Sequence, residues 1–301
     1  MRKASAIARF VASGIAACAL LSGCGQPLEP LAAGGPLASG PPASGIAVSG
    51  SSTEMHGPGQ GKYAAPGAGT AKLQAGSVYR NPESGRDEVV VPDIGNTALL
   101  IGDSQSEPAD GWPRLGLAAV GYKVHFCGLG GTGFATSNGK TGNYVEALLR
   151  GDWKLPYGSP PLIILQGGGN DAARGATDAQ IVAHTDRLIA VLRERYPDAR
   201  MAMIGTLARD AHDGGGRRHE VDALLGTVAA RHGMPFVGVG DWLTKYGLAK
   251  DLADAVHMNA AGRKSLGALL EARLRELRLD AQLNGKTGSL LAGAPESSWT
   301  E

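Results

Sequence analysis

Cysteine is scarce in this chain of 301 residues: Cys18, Cys24 and Cys127 are too few for the disulfide framework that staples small exported domains. Aromatics make up only 5%, so part of the chain has little to place in a core. Neither charge sign prevails, with 29 Lys and Arg against 28 Asp and Glu. That balance offers no basic field for nucleic acid, and it lacks the acidic excess of a charged disordered chain. No period of 20 to 50 residues repeats, which argues against a solenoid. What the sequence has in surplus is glycine, 46 residues, with 17 prolines, and the surplus is local.

Arg2, Lys3 and Arg9 precede an apolar run over residues 10–21, which ends in Leu21-Ser22-Gly23-Cys24. The run is too short to span a bilayer, and small residues before Cys24 suit a peptidase cleft. Residues 1–24 resemble a bacterial lipoprotein signal, which implies that Cys24 is acylated and becomes the N-terminus of an exported, lipid-anchored, cell-envelope protein. Loss of this segment removes three cations and no acid, leaving 26 basic against 28 acidic residues. Cys127 then stands without a partner and reads as a buried small hydrophobe. Residues 25–88 are rich in Gly, Pro, Ala and Ser, as in Gly40-Pro41-Pro42, and cannot bury enough apolar area to offset their ordering entropy. They read as a flexible tether, and residues 284–301 as a similar tail.

Between them, residues 89–283 read as one domain. Short apolar runs at 97–102, 122–127, 161–166, 201–207 and 235–239 are bounded by Gly or Pro and read as strands. Helical periodicity covers 178–195, where Ile181, Leu188, Val191 and Leu192 share a side and Thr177 stands at the N-cap position. Further helices are expected at 143–149, 218–232 and 259–277. Alternating strands and helices predict a three-layer α/β/α sandwich around a central, mostly parallel five-stranded sheet. In such a sheet ligands bind beyond the carboxyl ends of the strands.

Glycines and polar residues collect at those ends. Gly102-Asp103-Ser104 follows the first run, Gly128-Leu129-Gly130-Gly131-Thr132-Gly133 the second, and Gly168-Gly169-Asn170-Asp171 the third. Asp254-Ala255-Val256-His257 precedes the last helix. In this order they resemble the four blocks of the SGNH hydrolases, the GDSL-like esterase and lipase family, over roughly residues 98–277. The resemblance implies Ser104 as nucleophile, His257 as general base and Asp254 as its partner. It also implies an oxyanion hole from the Ser104 N–H, a glycine-loop N–H and the Asn170 amide; Gly131 fits the second block best, with Gly130 as the alternative. The chemistry agrees. A hydroxyl is a weak nucleophile until a base takes its proton, a carboxylate three positions before the histidine can hold the imidazole, and the oxyanion wants donors already aimed at it. Asp103 and Asp171 read as partners of turn backbone. Two positions depart from the family: Gln105 where a leucine is usual, and Met258 where a proline commonly follows the histidine.

Gly128-x-Gly130-x-x-Gly133 also fits a dinucleotide fingerprint, but no helix opens there and no acid ends a strand about 20 positions on. Gly139-Lys140-Thr141 lacks the phosphate-loop glycine, because Phe134 holds its place. The second glycine of a nucleophile elbow is missing after Ser104. Asp210, His212, Asp213 and His219 surround a glycine run and read as a solvated loop rather than a metal site. Arg217-Arg218 reads as a helix-start surface feature, with lining of the cleft as the alternative because the loop follows a strand end, and Trp112 as core or pocket wall. The expectation is a tethered serine esterase acting on a small-molecule or glycan ester, without cofactor, metal or nucleic acid. The alternatives are an O-acyltransferase to a sugar acceptor and a non-catalytic envelope-binding lipoprotein.

Overall fold

The computed structural model describes residues 73–213 and 215–281. The expected signal, Cys24, the tether as far as residue 72 and the tail 284–301 lie outside the described residues. Strands β1 (Val78–Arg80), β2 (Asp87–Val90) and β3 (Thr97–Gly102) come first, then helix α1 (Trp112–Ala119) and β4 (Lys123–Gly128). α2 (Tyr144–Arg150), β5 (Pro156–Tyr157), β6 (Leu162–Gln166), α3 (Gly169–Ala173), α4 (Asp178–Arg195) and β7 (Arg200–Ile204) follow. The chain continues through α5 (Gly216–Arg231), β8 (Phe236–Val237), α6 (Trp242–Lys245) and α7 (Ala260–Glu276).

The main sheet has five parallel strands in the order β4-β3-β6-β7-β8. Leu99 pairs with His125 on one side and Ile163 on the other, and Ile163 pairs in turn with Met201. Alternate residues serve opposite faces, as the two-residue period of a strand requires. Leu99, Ile101, Ile163, Leu165 and Met203 pack under α2, α4 and α5. Ala98, Leu100, Leu162, Ile164, Ala202 and Ile204 pack against α1 and α7 through Trp112, Leu117, Leu266, Leu270 and Leu274. β3 and β6 are buried along their whole length because helices cover both faces. This is the expected α/β/α sandwich. Its strand order reverses at β3, so the tips of β3 and β6 flank the switch point where such sheets bind ligands.

Local chemistry sets the helix starts. Thr177 accepts from the Gln180 N–H while Gln180 reaches back, a reciprocal cap, and Asn143 does the same with Glu146. Asn259 caps α7 by accepting from the Gly262 N–H.

One expected boundary is corrected. Residues 73–88 belong to the folded unit: β1 pairs antiparallel with β2, Tyr79 opposite Glu88, and β2 runs parallel to β5. Glu88 is buried, and Arg195 of α4 donates to both its oxygens at 2.6 Å. The buried carboxylate is compensated by that arginine and by Asn81, which is why so polar a segment holds a place in the fold. Among the described residues no helix is long and apolar enough to cross a membrane.

Candidate active site

Ser104 stands on the turn after β3. The Asp103 carbonyl accepts from the Ser106 and Glu107 N–H groups, and its Oδ1 accepts from the Gln105 N–H at 2.9 Å, which closes the turn. Burial pushes the Asp103 carboxyl up to about 6, against the opposing pull of hydrogen bonds from Gln105 and Gln166. As expected, Asp103 braces backbone.

His257 reaches the same place from the loop before α7. Its carbonyl accepts from the Ala253 N–H, and Leu252 and Met258 form an antiparallel bridge. His257 Nε2 lies 2.8 Å from Ser104 Oγ, and Nδ1 lies 2.8 Å from Asp254 Oδ2. An ionised carboxylate only accepts, so Nδ1 carries the proton and the Nε2 lone pair of a neutral ring faces the hydroxyl. Asp254 Oδ1 accepts from the Val256 and His257 N–H groups. Those two bonds, then the one from the imidazole, hold the Asp254 carboxyl down at about 2. It is therefore ionised throughout the neutral range, although its side chain is exposed.

Asn170 is the second residue of α3, just beyond the end of β6, and its Nδ2 donates to the Thr132 carbonyl at 2.8 Å. The next residue, Asp171, is fully buried and accepts from the Phe134 and Ala135 N–H groups. One dipeptide thus grips the loop after β4, and Asp171 has the backbone role expected of it. Gly131 in that loop has φ +79°, which a side chain rarely tolerates. The Gly130 N–H is taken by Glu107 Oε2 at 2.7 Å, whereas no hydrogen bond among the described residues takes the N–H of Gly131. Of the two glycines left open by the sequence, only Gly131 keeps a donor for a ligand.

Both departures from the family pattern find structural partners. Gln105 Nε2 donates to the Val256 carbonyl at 2.8 Å, and its Oε1 accepts from Trp112 Nε1, so it ties the Ser104 turn to the His257 loop. Met258 is buried in the core with α7. Trp112 is fully buried core rather than pocket wall. Gln105 and Glu107 were not foreseen as positioning groups; Val256 is 151 residues from Gln105, and no local signal connects them. Cys127 is buried, and burial pushes its thiol up to about 12, as befits an inert side chain. His212 N donates to Asp210, His219 meets the Arg209 carbonyl and Asp213 faces Arg209. Among the described residues no three His, Cys, Asp or Glu side chains converge as metal ligands.

Comparison with known proteins adds a family. The model of the GDSL-like lipase/acylhydrolase family matches residues 96–264. A multidomain esterase of Ruminococcus flavefaciens is 30% identical over 134 residues, which are 43% of this chain and 17% of that protein. The chain therefore spans less than a fifth of that relative. Among solved structures, a family two carbohydrate esterase from Cellvibrio japonicus is similar with TM-score 0.49 and 17% identity, covering 64% of each chain. A lipolytic G-D-S-L family protein from Veillonella parvula has TM-score 0.45 and 17% identity, covering 57% of this chain and 94% of its own.

Proposed function

From the premise that this chain belongs to the GDSL-like lipase/acylhydrolase family, we propose that it is a serine esterase that hydrolyses carboxylic esters through an acyl-enzyme on Ser104. The observation that carries this reading is the relay in which Asp254, His257 and Ser104 follow one another at 2.8 Å. Ser104 Oγ attacks the ester carbonyl carbon while His257 Nε2 takes its proton. Asp254, ionised, holds the ring and stabilises the imidazolium. The carbonyl oxygen gains a negative charge and is met by the N–H groups of Ser104 and Gly131 and by the free Nδ2 proton of Asn170. As the tetrahedral carbon collapses, the C–O bond breaks and the alcohol leaves with the proton from His257. Water then attacks the acyl-enzyme, His257 takes a proton from it, and the carboxylic acid departs as Ser104 is reprotonated.

The lipoprotein-like signal ending at Cys24 adds a compartment to this reading. An exported protein held at the cell envelope by an acyl anchor meets O-acyl groups on surface glycans and small exogenous esters, and these are its substrate classes. The test is fluorophosphonate labelling together with turnover of p-nitrophenyl acetate. Both should vanish in Ser104→Ala with the thermal melt preserved. Labelling that persists in that variant would overturn the assignment of the nucleophile.

A further inference from the structure

Beside the small cavity around Ser104, Asn170 and His257 lies a second one of about 260 Å³, and the two share Leu207, Arg218 and Val256 as walls. Charge in the second cavity is unbalanced. Arg217, on its rim, is occupied by Asp178 and Glu220. Arg218 is not: among the described residues it forms no ion pair, and its one hydrogen bond is a 3.5 Å contact from Nη1 to the Leu207 carbonyl. Asp103 acts on it only from beyond ion-pair distance. Gly169 lets the guanidinium come close to the oxyanion side, since a Cβ there would fall 2.5 Å from Arg218 Nη1, next to Asn170. Among the described residues, Arg209 lines the same cavity with a buried Nε that has no partner, and the acid that faces it, Asp213, stands 3.9 Å from Nη2. A half-buried guanidinium that has lost water without gaining a carboxylate is costly, and an anionic ligand would compensate it.

We propose that this cavity is an anion subsite, in which Arg218, assisted by Arg209, receives a carboxylate carried by the ester substrate within one cavity length of the scissile carbonyl. The proposal rests on the esterase reading of Ser104 and narrows it to acidic esters. The carboxylate belongs either to the acyl group, as in a dicarboxylic half-ester, or to the alcohol, as in an O-acylated sugar acid. The first turn of α5 carries no acidic side chain, so the field of its backbone N–H groups adds to the same positive potential.

Two matched pairs separate the two sources. Mono-p-nitrophenyl adipate against p-nitrophenyl hexanoate tests the acyl side, and 4-acetoxybenzoate against 4-acetoxybenzamide the alcohol side. At low salt one pair should show a kcat/KM ratio that favours the anion. Arg218→Gln should reduce that ratio by about tenfold, the scale of one lost charge-assisted hydrogen bond, and Arg209→Gln should reduce it less. A wild-type ratio at or below one in both pairs, or a ratio unchanged in folded Arg218→Gln protein, overturns the subsite while the esterase stands. Should Arg218→Gln not fold, Arg209→Gln and a salt titration of the wild-type ratio decide, because the preference must fade as salt screens it. Turnover of none of the four esters would instead count against the esterase reading. Calorimetric titration of the full chain with monomethyl adipate then tests the subsite alone: binding weakened by Arg209→Gln supports it, and absence of binding overturns it.

Discussion

One Nδ2 proton of Asn170 goes to the Thr132 carbonyl, so a single proton remains for a ligand, already aimed by that bond. Asn170→Ala should therefore lower kcat by about 10²–10³ with little change in KM, as loss of one preorganised donor does. Steady-state kinetics on p-nitrophenyl acetate measure it, and a loss under about fivefold would remove Asn170 from the oxyanion hole. The proposed partners differ in weight. His257 moves the proton, whereas Asp254 orients and stabilises, so His257→Ala should be close to Ser104→Ala in rate while Asp254→Ala keeps more activity than either. Asp103 makes a pH-dependent contribution to stability. Its folded-state value is raised from 3.8 to about 6, so the native state holds a proton that the unfolded chain gives up. The stability due to this group is complete below about pH 4, falls as pH rises through about 6, and stays low above. Urea unfolding from pH 4 to 7 should show this decline in the difference between wild type and Asp103→Asn, whose amide keeps the acceptor for the Gln105 N–H. A flat difference would show that Asp103 does not titrate in that window.

At the scale of elements, the small sheet of β1, β2 and β5 is tied to α4 by Glu88 and Arg195, whose side chains are 1% and 18% exposed. Truncating one partner of such a pair leaves the other charge buried without compensation, at a cost of about 3–5 kcal/mol. Glu88→Ala should lose stability on that scale in denaturant unfolding, and a chain beginning at Val89 should be less stable than one beginning at Leu73. Equal stability of the two chains would mean that β1 and Glu88 contribute nothing. The loops around Ser104 and His257 depend on elements in the same way. Asn170 and Asp171, in the first turn of α3, hold the loop after β4, and Gln105 joins the turn after β3 to the loop before α7.

For the whole molecule, the proposed lipid anchor separates location from chemistry. Cys24→Ala should abolish incorporation of labelled palmitate and release the protein from the membrane fraction, with specific activity toward p-nitrophenyl acetate unchanged. Membrane association that survives the substitution would refute Cys24 as the anchor.

Much of the sandwich is legible locally, because hydrophobic period and end chemistry are properties of adjacent residues. The run at 97–102 and the helix at 178–195 have the expected bounds, Thr177 caps as expected, and the other four strands and three helices shift by a few residues at their ends. The short helices α1, α3 and α6 are absent from the sequence reading. The small sheet was hidden because Val78–Arg80 is three residues long, and the burial of Glu88 depends on an arginine 107 positions away. The sequence by itself determined which residue types stand at the strand tips, and hence the candidates Ser104, Asn170, Asp254 and His257. Only the tertiary structure decided that, among the described residues, Gly131 and not Gly130 keeps a free N–H, that Gln105 ties two loops together, and that Arg218 lines the cavity around Ser104 without an ion pair. Each of those depends on groups that are distant in the chain and meet only when the sheet and its helices are packed.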